Sequence, residues 1–185
     1  MSVAIAKWTL DDYHRMITSG LLDGRSVELL NGEIVEMSPE GESHAYLSHE
    51  AAKYLGQLLG EQADIRQGKP ITLPCSDSEP EPDIAVVQPL GREYRQHHPY
   101  PENIFWLIEF AHTSLSKDVE DKRKAYAMAL ISEYWVVNVN DPQLILFRHP
   151  VNGDYQTETV ITTGMLSPLT FPAVGVSVQG LLHGT

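Results

Sequence analysis

The chain has 185 residues, 42% of them hydrophobic, and a formal net charge of −12. That length buries a core and fits one domain over residues 1–185, whereas no apolar run reaches the ~20 residues of a membrane helix and no basic-then-apolar leader opens MSVAIAKWTLDDYHRM. Cys75 is the single cysteine, which excludes an intramolecular disulfide and a cysteine-based zinc site. Its simplest place is a small buried hydrophobe, and cytoplasmic residence without a membrane partner is the expectation. The acidic balance counts against a life on nucleic acid, because phosphate contacts need Lys and Arg. Binding follows local charge, however, and a metal site absorbs acids.

Thr9-Leu-Asp-Asp12 reads as the N-cap of a short helix ending near Gly20. Ser26 to Leu30 and Glu33 to Met37 are β-like runs, and Asn31-Gly32 between them is a hairpin signal, since a type I′ turn needs positive φ at both positions. Ser38 to Ser43 is a loop. From His44 to Leu59 apolar residues recur at helical spacing. Ala63 to Gln67 and Pro70 to Leu73 read as strands, and acidic, Pro-rich Ser76 to Pro82 as a loop leading into the DIAVV strand that Asp83 opens. Pro89 to Asn103 is a polar connector. Ile104 to Phe110 is a buried strand, Ser116 to Leu130 a helix, and Glu133 to Val139 a buried strand with Trp135 in the core beside Trp106 and Phe105. Leu144 to Phe147 and Tyr155 to Ile161 form a terminal hairpin. The tail wraps the surface and anchors at Leu181-Leu182. Strands alternating with helices define an α/β or α+β class with a mixed sheet.

Two of these strands carry an acid where apolar residues belong. Asp83 follows EPEP, and Glu109 interrupts IFWLIEF. A carboxylate in a buried strand is costly unless its charge is compensated. Glu28 lies in the N-terminal hairpin and Lys122 in the following helix, where Asp118, Lys122 and Tyr126 stack four residues apart on one stripe. This order suggests a divalent-metal site on a sheet, the layout of metal-dependent nucleases. Asp83 and Glu109 are the core ligands, Glu28 completes the shell directly or through water, and Lys122 holds the attacking water or the charge on the phosphate. Tyr126, His44 and His112 are accessory candidates, Tyr126 as a hydrogen-bond donor to phosphate or water. Each residue also has a bland reading: Asp83 as a strand start, Glu109 at a solvent-facing strand end, Glu28 on the polar face of a hairpin, Lys122 paired to Asp118 on the surface. Arg92, Arg95, His97 and His98 offer phosphate contacts or simply a solvated loop.

The stretches VELLNGEIVEMSPEGESH, EPEPDIAVV, IEFAHTSLSKDVEDKRKAYA and EYWVVN resemble, in order and over most of the chain, the Uma2-like (DUF820) family of the PD-(D/E)XK nuclease superfamily. The resemblance implies a restriction-endonuclease-like core with a mixed central β-sheet flanked by helices, and dependence on Mg²⁺ or Mn²⁺. The family's acidic positions fall on Glu28, Asp83 and Glu109. The superfamily's lysine would fall at Ala111 and is absent, which implies its transfer to Lys122. His112 stands where many members carry an acid. The expected function is Mg²⁺-dependent hydrolysis of DNA phosphodiester bonds by a homodimer, since two sites are needed to cut both strands. The rivals are an inactive interaction protein that keeps the fold, and a metal-dependent hydrolase of a smaller phosphoester.

Overall fold

The computed structural model describes residues 5–111 and 117–184, without the side chains of 117 and 118. His112 lies outside the described residues. The first helix, α1 (Leu10–Thr18), begins at the Thr9 cap with the reciprocal Thr9–Asp12 capping box that the sequence signals. Tyr13 is the buried face of α1, and its hydroxyl donates to Val27 O at 3.0 Å. Strands β1 (Val27–Leu30) and β2 (Glu33–Glu36) pair antiparallel through Asn31 and Gly32, with φ of 52° and 73°. Both φ values are positive, as the type I′ turn demands.

The central sheet has six strands in the order β3 (Asp64–Gln67), β4 (Ile84–Val87), β5 (Ile104–Ala111), β6 (Glu133–Asn138), β7 (Gln143–Val151), β8 (Asp154–Ile161). Every pairing is antiparallel except β5–β6. Parallel neighbours need a crossover, and α3 (Lys117–Met128) lies in it. Alternate side chains on each strand enter different cores. Ile84, Val86, Trp106, Ile108 and Trp135 pack with Leu55 and Leu59 of α2 (Glu42–Leu59) and with Leu181 of α4 (Val178–His183). Ala85, Leu107, Tyr134 and Val136 pack with Ala125 and Tyr126 of α3. Covering both faces explains why β5 and β6 read as nearly continuous apolar runs. A short antiparallel pair, β9 (Met165–Leu166) and β10 (Val176–Ser177), leads into α4, whose Leu181 and Leu182 are buried as the sequence suggests.

Three expectations change. Pro70 to Leu73 is not a strand: its amides go singly to Pro80 O, Pro99 O and Ser78 O rather than into a ladder. Cys75 is exposed, because it sits in the one-turn 3-10 helix Pro74–Ser76 at the rim of a cleft shared with Tyr100, Met128 and Leu130. Phe105 is half-buried and meets Phe171 edge-on, while Trp106 and Trp135 are fully buried.

Candidate active site

Asp83 and Glu109 meet because β4 and β5 run antiparallel with Ile84 opposite Ile108. Asp83 ends the approach to β4, and its Oδ2 accepts the Phe110 amide at 2.6 Å. Its Oδ1 faces His44 Nε2 at 2.9 Å, from the first turn of α2. Glu109 projects from the middle of β5 toward α3 and is only 7% exposed. Its Oε1 accepts the Tyr126 hydroxyl at 2.9 Å and lies 3.2 Å from Lys122 Nζ. Glu28 is 4% exposed, which removes the polar-face reading of β1. Its Oε2 accepts the Glu81 amide at 3.0 Å and lies 3.4 Å from the same Lys122 Nζ. One ammonium thus stands between two buried carboxylates, with Asp83 close enough to act on both Lys122 and Glu109.

The charges do not balance, and the titration of the groups reflects it. Burial pushes the Glu109 carboxyl up to about 7; Lys122 opposes the shift, and Asp83 and Glu28 add to it. Burial disfavours the Lys122 ammonium, but Glu109, Glu28 and Asp83 together outweigh burial and raise its pKa. The Asp83 hydrogen bond raises His44. Three acids facing one lysine form an all-oxygen donor set with surplus negative charge, which suits a hard divalent cation. Asp83, His44 and Glu40 also form a group that can hold a metal ion, their ligand atoms lying within 4.8 Å of one another.

The sequence-derived candidates Glu28, Asp83, Glu109, Lys122, Tyr126 and His44 all converge here. The role of Tyr126 differs from the expected one: its ring is fully buried and its hydroxyl is engaged by Glu109, so it holds a carboxylate instead of reaching a phosphate. Ala111, where the superfamily's lysine would stand, is buried against the α3 side of the sheet, and Lys122 reaches the acids from α3. Two contributors escaped the sequence reading. Glu81 gives its amide to Glu28 and its carbonyl to Lys122 at 3.5 Å. Its own carboxyl is raised by burial and by Glu28. The alternation Glu79, Glu81, Asp83 was the available signal, since residues two apart in an extended segment share a face. Glu40 gave none, because nothing in SPEGES shows that this loop turns toward Asp83.

A mixed sheet with one acid at the entry to β4, another on the adjoining β5 and a lysine on the crossover helix is the arrangement that the resemblance to restriction-endonuclease-like nucleases implies. The sequence pattern of the Uma2 family, described as "Putative restriction endonuclease", matches residues 10–179. The chain belongs to the Uma2 family. A crystal structure from Anabaena variabilis, described as a putative nuclease belonging to DUF820, is similar in fold: the TM-score is 0.74 at 16% identity, over 94% of this chain and 97% of that one. No curated protein matches the chain. Family and fold together support nuclease function in general terms.

Proposed function

We propose that this protein is a divalent-metal-dependent endonuclease that hydrolyses DNA phosphodiester bonds. The observation that carries the reading is the single Lys122 ammonium held between buried Glu28 and Glu109 beside Asp83. Burying such a cluster costs stability, so a fold that keeps it points to a function. Asp83 and Glu109 are the residues to hold Mg²⁺ or Mn²⁺, with Glu28 completing the shell directly or through water. When bound, the ion offsets phosphate charge and makes a water acidic enough to attack at neutral pH.

The protein's own groups do the remaining work. Tyr126 and the Glu81 amide fix one oxygen each of Glu109 and Glu28, and Phe110 N–H fixes one of Asp83. The carboxylates are therefore preorganised and need little rearrangement in the transition state. Lys122 favours the charged form of Glu109, pairs with Glu28, and supplies the positive charge that orients the water and meets the charge growing on the phosphoryl oxygens. His44 orients Asp83 from the opposite side. Water adds to phosphorus and gives up a proton to solvent, the bond to the sugar oxygen breaks, and that oxygen takes up a proton from solvent as it leaves. Cutting both strands of a duplex calls for two such sites, so we read the active species as a homodimer; a monomeric mass by light scattering on DNA-free and DNA-bound protein would argue against it.

The test is cleavage of supercoiled plasmid DNA with Mg²⁺ or Mn²⁺ by wild type, Asp83→Ala and Glu109→Ala. Wild type should cut, and both variants should be inactive with circular dichroism spectra unchanged. Cleavage that survives in both variants would sink the assignment.

A further inference from the structure

A net charge of −12 leaves open how the chain meets a polyanion. The distribution of its cations answers this. Eight of the twelve described Lys and Arg side chains are ion-paired to a carboxylate, from Lys7–Glu33 beside the hairpin to Arg148–Glu133 in the sheet. Among the described residues the exceptions are Arg66, Lys69, Arg92 and Arg95. They fall in one part of the fold, the β3 edge and the loops that flank β4, although they are scattered along the sequence.

These four connect to the acidic site. Gly68 N–H donates to Asp83 O at 3.0 Å, so the exposed Lys69 follows directly on a residue tied to Asp83. The charge of Lys69 acts on Glu81, inside the site. Arg66 pairs with Ala85 across the β3–β4 ladder, two residues past Asp83. Its guanidinium lies over the Tyr94 ring, 5.1 Å from the centroid, and its buried Nε has no hydrogen-bond partner. Tyr94 belongs to the 3-10 helix Gly91–Arg95, which presents Arg92 and Arg95 to solvent. Glu93 in that turn is engaged by His97 at 3.5 Å, and the His97 ring stacks on Tyr100 at 4.8 Å.

We propose that Lys69, Arg66, Arg92 and Arg95 form a phosphate-binding track that leads the nucleic-acid backbone along the β3 edge to Asp83. An unpaired cation on a protein this acidic releases no intramolecular partner on binding, so each contact with a phosphate gains the full counterion-release entropy. Paired cations elsewhere must first give up a carboxylate. The track thus confines polyanion binding to the edge beside the acids and leaves the rest of the surface repulsive. The choice of nucleic acid as the polyanion rests on the nuclease reading.

The experiment is fluorescence anisotropy of a short fluorescein-labelled DNA duplex in EDTA, titrated at several salt concentrations. Three full-length proteins are compared: wild type, the track variant Lys69→Ala/Arg92→Ala/Arg95→Ala, and a control of equal net charge, Arg25→Ala/Lys53→Ala/Lys124→Ala, which removes ion-paired surface cations. The track variant should bind at least roughly tenfold more weakly, and its plot of log K against log salt should be flatter by about 0.9 for each phosphate it no longer neutralises. The control should match wild type. Equal losses in both variants, or none in either, overturn the track while leaving the nuclease reading untouched. A wild type that ignores DNA but binds anionic phospholipid vesicles overturns both. Weakened binding by the track variant, from a wild type that cuts no DNA, supports the track and defeats only the catalytic reading.

Discussion

Lys122 on α3 and Glu109 on β5 form an ion pair at the heart of the acidic site, Nζ to Oε1 at 3.2 Å, with both side chains largely buried. The pair is not a neutral unit. Glu28 claims the same ammonium at 3.4 Å, so one lysine offsets two carboxylates. Removing the cation and removing an acid therefore have opposite consequences for stability.

Lys122→Met should cost about 3–5 kcal/mol, because it leaves buried carboxylates without a counter-charge. Lys124→Met, two residues away and paired with exposed Glu120, should cause no measurable loss. Urea denaturation of both variants checks this. Equal stability of the two would mean that the carboxylates of the cluster are not charged in the folded protein.

The Glu109 carboxyl titrates at about 7 in the folded protein, pushed there from 4.5 chiefly by burial. Between those values the folded chain holds a proton that the unfolded chain has released. Stability therefore falls as pH rises through that window and levels off above it. Glu109→Gln should flatten this dependence and be the more stable protein above neutral pH, while losing cleavage. Urea midpoints of metal-free protein from about pH 5 to about pH 8 measure it. The same slope in both proteins would contradict the buried, proton-holding Glu109.

Titration calorimetry with Mn²⁺ should show binding to wild type and none to Asp83→Ala/Glu109→Ala. His44→Ala should weaken Mn²⁺ more than Mg²⁺, because imidazole suits transition metals and Mg²⁺ wants oxygen. Unchanged Mn²⁺ affinity in His44→Ala would take His44 out of the ligand set and leave it only orienting Asp83.

Arg148→Met should be as destabilising as Lys122→Met, about 3–5 kcal/mol, without altering Mn²⁺ binding. Glu133 is fully buried and accepts from Arg148 Nε at 2.8 Å, Trp135 Nε1 at 2.8 Å and the Leu169 amide at 2.7 Å. Its ion pair joins β7 to β6, its bond from Leu169 ties the tail to β6, and both lie apart from the acidic site. Urea denaturation and calorimetry on the same preparation separate the two roles. A loss of metal binding as large as that of Asp83→Ala/Glu109→Ala would show that the clusters are coupled.

What the sequence made legible follows from physics that acts locally. Asn31-Gly32 marked its turn because few residue pairs tolerate two positive φ angles in a row. Glu109 stood out because an acid in an apolar strand needs a reason. Lys122 and Tyr126 stood out because residues four apart share a helix face. The features missed depend on partners far along the chain. Glu40 joins the site only because α2 packs against β3 and β5 and sets its N-terminal turn beside Asp83. Pro70 to Leu73 has strand composition but no strand to pair with. Cys75 is exposed because a proline-led turn carries it outward. Arg66 and Lys69 look like ordinary surface cations until the other described cations are found to be paired, whereas Arg92 and Arg95 already stood as candidates for phosphate contact.

The order of the site residues along the chain has a consequence for how the protein comes into being. Glu28, Asp83 and Glu109 all precede Lys122. A growing polypeptide displays its three mutually repelling acids before it contains their counter-charge. The strands can form early, but their acidic ends are held apart until α3 has been made and brings the ammonium in. Docking of that one helix is the event that makes the sheet's charged end tolerable, so α3 should be among the last elements to close and, on unfolding, among the first to leave.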